Sequence, residues 1–143
     1  MDVSFFEADV KILDQLDEIA IRSWLDSIVR TGHFSTSEVN VVFTSDEYLL
    51  ALNKQFLNHD YYTDVITFEK NWTDGVRLEI YISVDRAKEN AETEGVKLLK
   101  ELLRLIIHGV LHSEGMKDKK NEEKRAMRIR EDRAIEEYFK CFT

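Results

Sequence analysis

Val96-Lys97-Leu98-Leu99-Lys100-Glu101-Leu102-Leu103-Arg104-Leu105-Ile106-Ile107-His108-Gly109-Val110-Leu111-His112 is the stretch on which the fold turns. Its apolar residues Val96, Leu98, Leu99, Leu102, Leu103, Leu105, Ile106, Ile107, Val110 and Leu111 cover most of a helix circumference. That pattern predicts a helix largely buried in the core. One narrow stripe stays polar: Lys97, Glu101, Arg104, His108 and His112. At ~100° per residue these five fall within a sector of roughly 80°. The two histidines continue the stripe toward a cleft.

On a helix, positions i and i+4 share a face, with Cβ atoms about 6 Å apart, so His108 and His112 can share one metal ion. Gly115 comes three residues after His112, and Asp118 three after that. Glycine tolerates positive φ, so Gly115 can end the helix and turn the chain back, bringing Asp118 to the third side. The layout is H-x3-H-x2-G-x2-D, a zincin-like metal site without the glutamate that serves a zincin protease as general base. Gly109 stands in that place, so peptide hydrolysis by that route is not expected. Two neutral imidazoles and one carboxylate leave coordination positions open, as in catalytic Zn²⁺ sites. Iron, manganese or nickel accept the same donors, so the spacing does not choose the metal. Glu114 is a rival carboxylate, but two residues past His112 it lies on another helix face. Each histidine needs an acceptor for its second ring nitrogen, with Asp64, Glu79 and backbone carbonyls as candidates. A hydrogen-bonded histidine pair with no metal is the plainer reading of the same spacing.

A chain of 143 residues suits one domain with a proper core. No apolar run reaches the ~18 residues needed to span a membrane. Residues 1–4 lack the basic and apolar regions of a signal peptide. The single cysteine, Cys141, allows no internal disulfide and reads as an inert, half-buried thiol. These features lead to the expectation of a cytoplasmic protein that does not engage membranes. The net charge of −8 argues against broad nonspecific nucleic-acid binding. Residues 117–133 depart from it, with eight Lys or Arg against five Asp or Glu. That segment reads either as a solvated helix face or as a polyanion-facing patch. It begins at the histidine motif, which keeps the second reading open. Lys119, Lys120, Lys124 and Arg128 are its candidate RNA contacts.

The remaining chain reads as alternating elements. Residues 3–7 form a short strand, and residues 14–29 a helix with Leu13, Leu16, Ala20, Trp24 and Ile28 inward. Residues 39–44 are a strand. Thr44 and Glu47 look like a capping box that opens a helix ending near Asn58. Residues 63–68 form the next strand. Residues 71–75 form a turn marked by Asp74-Gly75, and residues 77–83 alternate as a strand. Ser83 caps a helix stopped by Gly95, and a last helix spans residues 121–140. The expected fold is one α+β domain over residues 1–143. In it a four-stranded mixed sheet packs around the buried central helix, with other helices on its flanks.

Against this background the chain resembles the YbeY family of metal-dependent endoribonucleases, the rRNA maturation factors. That family shows H-G-x-L-H-x-x-G-x-x-H, similar to His108-Gly109-Val110-Leu111-His112 followed by Gly115 and Asp118. Its L-N-x-x-(Y/F)-R-x-x-D-x-x-T-D-V-L-(S/T)-F is similar to the run from Leu52-Asn53 through Phe56-Leu57, Asp60 and Thr63-Asp64-Val65 to Phe68. Its G-D-I-x-I-S resembles Leu78-Glu79-Ile80-Tyr81-Ile82-Ser83. The resemblance implies a bacterial cytoplasmic protein that binds Zn²⁺ through His108, His112 and Asp118. It implies a single-strand endoribonuclease acting on 16S rRNA 3′ ends and in ribosome quality control. Partners implied are rRNA, ribosomal subunits and ribosome-associated proteins. Two positions depart from the family. Asp118 replaces the third histidine, which lowers the net charge of the site and favours harder ions. Leu57 replaces an arginine suited to holding a phosphate. His59, two residues on, is the candidate to take over part of that catalytic role; a plain loop histidine is the alternative. A noncatalytic ribosome-assembly factor with a structural metal, or a metal hydrolase of a small substrate, are the competing functions.

Overall fold

The computed structural model describes Met1–Thr143. Strand β1 spans Asp2–Glu7, helix α1 Glu18–Thr31, β2 Thr36–Thr44, α2 Asp46–Leu57, β3 Val65–Trp72 and β4 Gly75–Ser83. Helices α3, α4 and α5 follow at Val84–Glu94, Leu98–Ser113 and Asn121–Cys141. The strands form one sheet in the order β1-β2-β4-β3. β1, β2 and β4 run parallel, and β3 pairs antiparallel with β4. The expected α+β fold with a four-stranded mixed sheet is what the chain adopts.

Period-two alternation decides which face of the sheet is covered. Val39, Val41 and Phe43 of β2 and Leu78, Ile80 and Ile82 of β4 are fully buried and point to one side. Helix α4 lies on that side, with Leu102, Leu103, Ile106, Ile107 and Val110 buried. Gly109 is the closest approach. A Cβ there would stand 2.7 Å from Thr67 Oγ1 and 3.1 Å from Ile80 Cδ1, so alanine fits only if Thr67 rotates, and anything larger would lift the helix off β3 and β4. Trp24 of α1 ties the last helix to this core. Its ring nitrogen donates to the Ala134 carbonyl at 2.7 Å, and its ring meets Tyr138 edge to face.

Several local expectations are corrected by the contacts the fold makes. α1 starts later than residue 14 because Asp17 caps it at Ala20. Leu13–Gln15 is a separate 3-10 turn, whose N-terminal side is held by Glu7 Oε2 on the Ile12 and Leu13 amides. The cap of α2 is Ser45, not Thr44. Thr44 Oγ1 is buried and bonds the Ile82 carbonyl, while Ser45 Oγ accepts from the Tyr48 amide. Glu47 does not reach back; it accepts from the Tyr62 hydroxyl. β3 starts at Val65 rather than residue 63 and continues past Phe68 to Trp72, which pairs with Gly75. The turn is thus only Thr73-Asp74, and Gly75 (φ +138°) absorbs the return. β2 likewise begins at Thr36, three residues early, because β4 continues its pairing there. Cys141 is exposed rather than half-buried, since α5 ends beside it with nothing packed over the thiol. No helix is long and apolar enough to cross a membrane.

Candidate metal centre and its cleft

His108 and His112 occupy the last two turns of α4. The helix then ends where Gly115 (φ +98°) turns the chain, with its amide on the His112 carbonyl and the Met116 amide on the Leu111 carbonyl. The return places Asp118 over both rings. Its Oδ2 lies 3.4 Å from His108 Nε2 and 3.2 Å from His112 Nε2. Ligand atoms of the three residues lie within 4.8 Å of one another. Glu114, the rival, points elsewhere: its Oε1 accepts from the Ser35 amide at 2.9 Å and the Thr36 hydroxyl at 3.2 Å. The same bonds pin the end of α4 to the start of β2.

The chemistry of the donor set fits a divalent cation. His108 Nδ1 is 2.6 Å from Glu131 Oε2, so a neutral ring carries its proton there and leaves the Nε2 lone pair facing Asp118. A lone pair and a carboxylate oxygen at this separation repel unless a proton or cation lies between them. For tetrahedral Zn²⁺ with bonds of about 2.0–2.1 Å, neighbouring ligand atoms stand roughly 3.3 Å apart, close to both Asp118 separations. Burial disfavours the charged form of His108. Glu131, by hydrogen bond and charge, with Asp118 and Asp64 adding, nevertheless holds it above the usual imidazole range.

Glu131 is the residue that sequence reasoning missed. Of the expected partners, Glu79 is exposed on the opposite face of the sheet, paired with Phe68. Asp64 accepts from Asn90 instead of an imidazole. Glu131 is buried on α5 and also accepts from Arg104 Nη1 at 3.1 Å. Arg104 reaches Asp132 at 2.9 Å and Glu101 at 3.6 Å, and Asn90 links Glu101 to Asp64. Burial pushes the Glu101 carboxyl up, against the pull of Asn90 and Arg104. The polar stripe of α4 is therefore the spine of a chain of hydrogen bonds and ion pairs running from Asp64 to His108. A signal was available. Glu131 falls at helical spacing on the apolar stripe Met127, Ala134, Ile135, Tyr138, and a lone acid there needs a buried partner.

Asp64, Asn90, Glu101, Arg104, His108 and Glu131 line a polar cleft of ≈ 470 Å³ between α3, α4, α5 and the start of β3. Six carboxylates line it against three cations, Arg104, Lys124 and Arg128. A polyanion entering such a cleft needs a further positive charge. Lys124 makes no ion pair, whereas Arg128 lies 3.5 Å from Glu94. Lys119 and Lys120 are exposed just before α5, outside the lining. His59 is also outside it. It is exposed, stacked on Tyr61 at 5.1 Å, with its Nδ1 3.0 Å from the Tyr61 hydroxyl. Leu57 is the exposed last residue of α2.

A family model described as Endoribonuclease YbeY matches residues 4–139. The chain belongs to the YbeY family. A curated protein of that name from Cytophaga hutchinsonii is 44% identical over 135 residues, covering 93% of each chain. One from Flavobacterium psychrophilum is 40% identical over 134 residues, covering 93% of this chain and 94% of that protein. The solution structure of TM1509 from Thermotoga maritima superposes with a TM-score of 0.67 at 28% identity, covering 95% of this chain and 89% of that one.

The role of Glu131 gives an expected result. Glu131→Gln lowers divalent-ion affinity about 10–100-fold, as loss of an outer partner of a ligating histidine typically does. It also lowers the unfolding midpoint, because Arg104 loses a buried acid. Asp132→Asn takes a different partner from Arg104 without touching His108, so it lowers the midpoint alone. Titration with Zn²⁺ beside denaturant unfolding separates the two. Equal affinity in wild type and Glu131→Gln would show that Glu131 does not orient the ligand.

Proposed function

We propose that this chain is a metal-dependent single-strand endoribonuclease that matures the 3′ end of 16S rRNA and serves ribosome quality control. In this reading residues 1–143 act as one domain in the cytoplasm, with rRNA, ribosomal subunits and ribosome-associated proteins as partners. The observation that carries it is the convergence of His108, His112 and Asp118 on the edge of a polar cleft in a YbeY family chain. Zn²⁺ is the ion proposed, and a harder divalent ion the alternative that Asp118 favours. A divalent ion held there would supply Lewis-acid stabilisation to a phosphoryl oxygen.

The chain's own residues do the rest. Glu131 fixes the His108 tautomer so that Nε2 faces the centre. Arg104 is held by its acids and serves the architecture, not the substrate. Lys124, free of ion pairs on the cleft wall, meets a phosphate. Arg128, Lys119 and Lys120 extend that contact along the start of α5, which makes binding salt-dependent through counterion release. Leu57 supplies no cation to the charge that develops in phosphodiester cleavage, so the activity is slow, with His59 as the nearest substitute.

Metal-quantified protein incubated with precursor rRNA, with and without chelator, tests this. Slow cleavage is expected with metal and none with chelator. Leu57→Arg should raise the rate on the order of 10- to 100-fold at unchanged metal content. His59→Ala should lower it. One feature favours a second reading, a noncatalytic assembly factor: the exposed Leu57 in place of a phosphate-binding arginine. If the fully metallated wild type and Leu57→Arg both leave precursor rRNA intact in the presence of ribosomes, that reading replaces the nuclease.

A further inference from the structure

The β3–β4 hairpin carries a group of side chains that the cleft does not use. Trp72 closes the hairpin opposite Gly75 and stays 44% exposed, outside the hydrophobic core. Arg77 lies over its ring at 4.3 Å from the centroid and Lys70 at 4.8 Å. Neither cation has a carboxylate within ion-pair distance, although the chain as a whole is acidic. Lys70 and Arg77 are also direct cross-strand partners. Like charges placed opposite each other weaken a hairpin, and the antiparallel register makes this pair unavoidable. The Trp72 ring offsets part of this repulsion by cation–π contact, and the positive charge of both side chains is left with no acid in ion-pair distance to neutralise it.

We infer that Trp72, Lys70 and Arg77 form a platform on which an unpaired base of the RNA stacks while its phosphates meet the two cations. This rests on the endoribonuclease reading and extends it to a contact outside the cleft. Three observations support the placement. β3 is an edge strand, so nothing in the sheet covers its outer side. Its first residue, Val65, lines the cleft, and Trp72 lies seven residues on, a span of roughly 23 Å. The hairpin tip also shares a sheet end with the C-terminus of α4. Glu114 bonds Ser35 and Thr36, and the Ser35 carbonyl accepts from Val76 beside Gly75. Lys70 and Trp72 alternate onto the face of β3 opposite Val65 and Thr67, so a single strand leaving the metal centre reaches the platform by passing around the open β3 edge.

The chemistry favours a nucleic-acid base over other ligands. Every base offers a π face, so stacking on tryptophan tolerates sequence, and flanking cations take the backbone. Glu38 pairs with Arg77, and Glu79 with Phe68, on neighbouring rungs of the same sheet face. The platform therefore suits one stacked nucleotide, not a broad polyanion.

The two tryptophans make the test direct, because Trp24 is fully buried and gives a constant background. Metal-loaded protein is titrated with a short oligouridylate, following tryptophan emission and, with a labelled oligomer, anisotropy; gels confirm that the oligomer stays intact. Expected are quenching of Trp72, retention of most affinity in Trp72→Phe, and a roughly 5- to 100-fold loss in Trp72→Ala. Lys70→Gln with Arg77→Gln should reduce the salt slope by about two. Heparin, a polyanion without bases, should leave emission unchanged. If a variant fails to fold, emission of the wild type still decides. Binding with unchanged emission, or equal quenching by heparin, overturns the platform and leaves the endoribonuclease reading in place. No binding of the oligomer at all overturns both.

Discussion

His112→Ala is expected to abolish binding of a divalent ion between His108, His112 and Asp118. The ring is one of two imidazoles whose Nε2 faces Asp118 Oδ2, and alanine leaves only His108 and the carboxylate. Two donors bind an ion weakly, so affinity should fall 100-fold or more, beyond the roughly 10–100-fold cost of losing an outer partner. Metal analysis after desalting should read one ion per chain in wild type and near none in the variant. Asp118→Ala should bind less tightly than wild type but better than His112→Ala. Asp118→His restores the three-histidine pattern of the YbeY family and should keep full occupancy. Glu114→Ala should retain the ion, because that carboxylate serves Ser35 and Thr36 and not the rings. Full occupancy in Asp118→Ala together with loss in Glu114→Ala would show the ligand set to be wrong. Chelator adds a second readout. At an ion concentration 100 times Kd, binding stabilises a fold by about 2.7 kcal/mol, and removing the ion forfeits that amount.

Gly109→Glu is expected to destabilise the fold by on the order of 3–5 kcal/mol. A Cβ at this position already meets Thr67 Oγ1 at 2.7 Å and Ile80 side-chain carbons at 3.1 and 3.3 Å. The rest of a longer side chain would enter the interface between α4 and the buried strand β4. Overpacking there costs about 1–3 kcal/mol, and a carboxylate without a partner adds several more. Gly109→Ala should stay within about 1 kcal/mol of wild type, because the gain in helix propensity offsets a clash that Thr67 can relieve by rotating. Thr67→Ala should then make Gly109→Ala stabilising. Denaturant unfolding of the wild type, the three single variants and the double variant reads these effects. A Gly109→Glu protein as stable as wild type would mean that α4 does not pack this closely on the sheet. The same contact explains a feature of the motif. The position where a zincin carries its general base faces Thr67 and Ile80 of the sheet here.

The parts of this protein legible in the sequence are those that depend on short stretches of backbone. The apolar circumference of α4, the shared face of His108 and His112 and the return at Gly115 follow from helical periodicity and the conformational freedom of glycine. The alternation in β4 and the turn before Gly75 follow from strand geometry in the same way. The motifs, taken together, also carried the family, whose model then matched residues 4–139. The tertiary structure decided everything that rests on which elements become neighbours. Glu114 was a plausible ligand until packing brought the start of β2 beneath it, 79 residues earlier in the chain at Ser35. Glu131 reaches His108 from 23 residues away only because α5 lies against α4. Ser45 displaces Thr44 as a cap because β4 claims the threonine hydroxyl. Like-charged Lys70 and Arg77 face each other across Trp72 only once β3 pairs with β4. A side chain's hydrogen-bond partner is set by the strongest group within about 3 Å in space, and separation along the chain does not encode that distance.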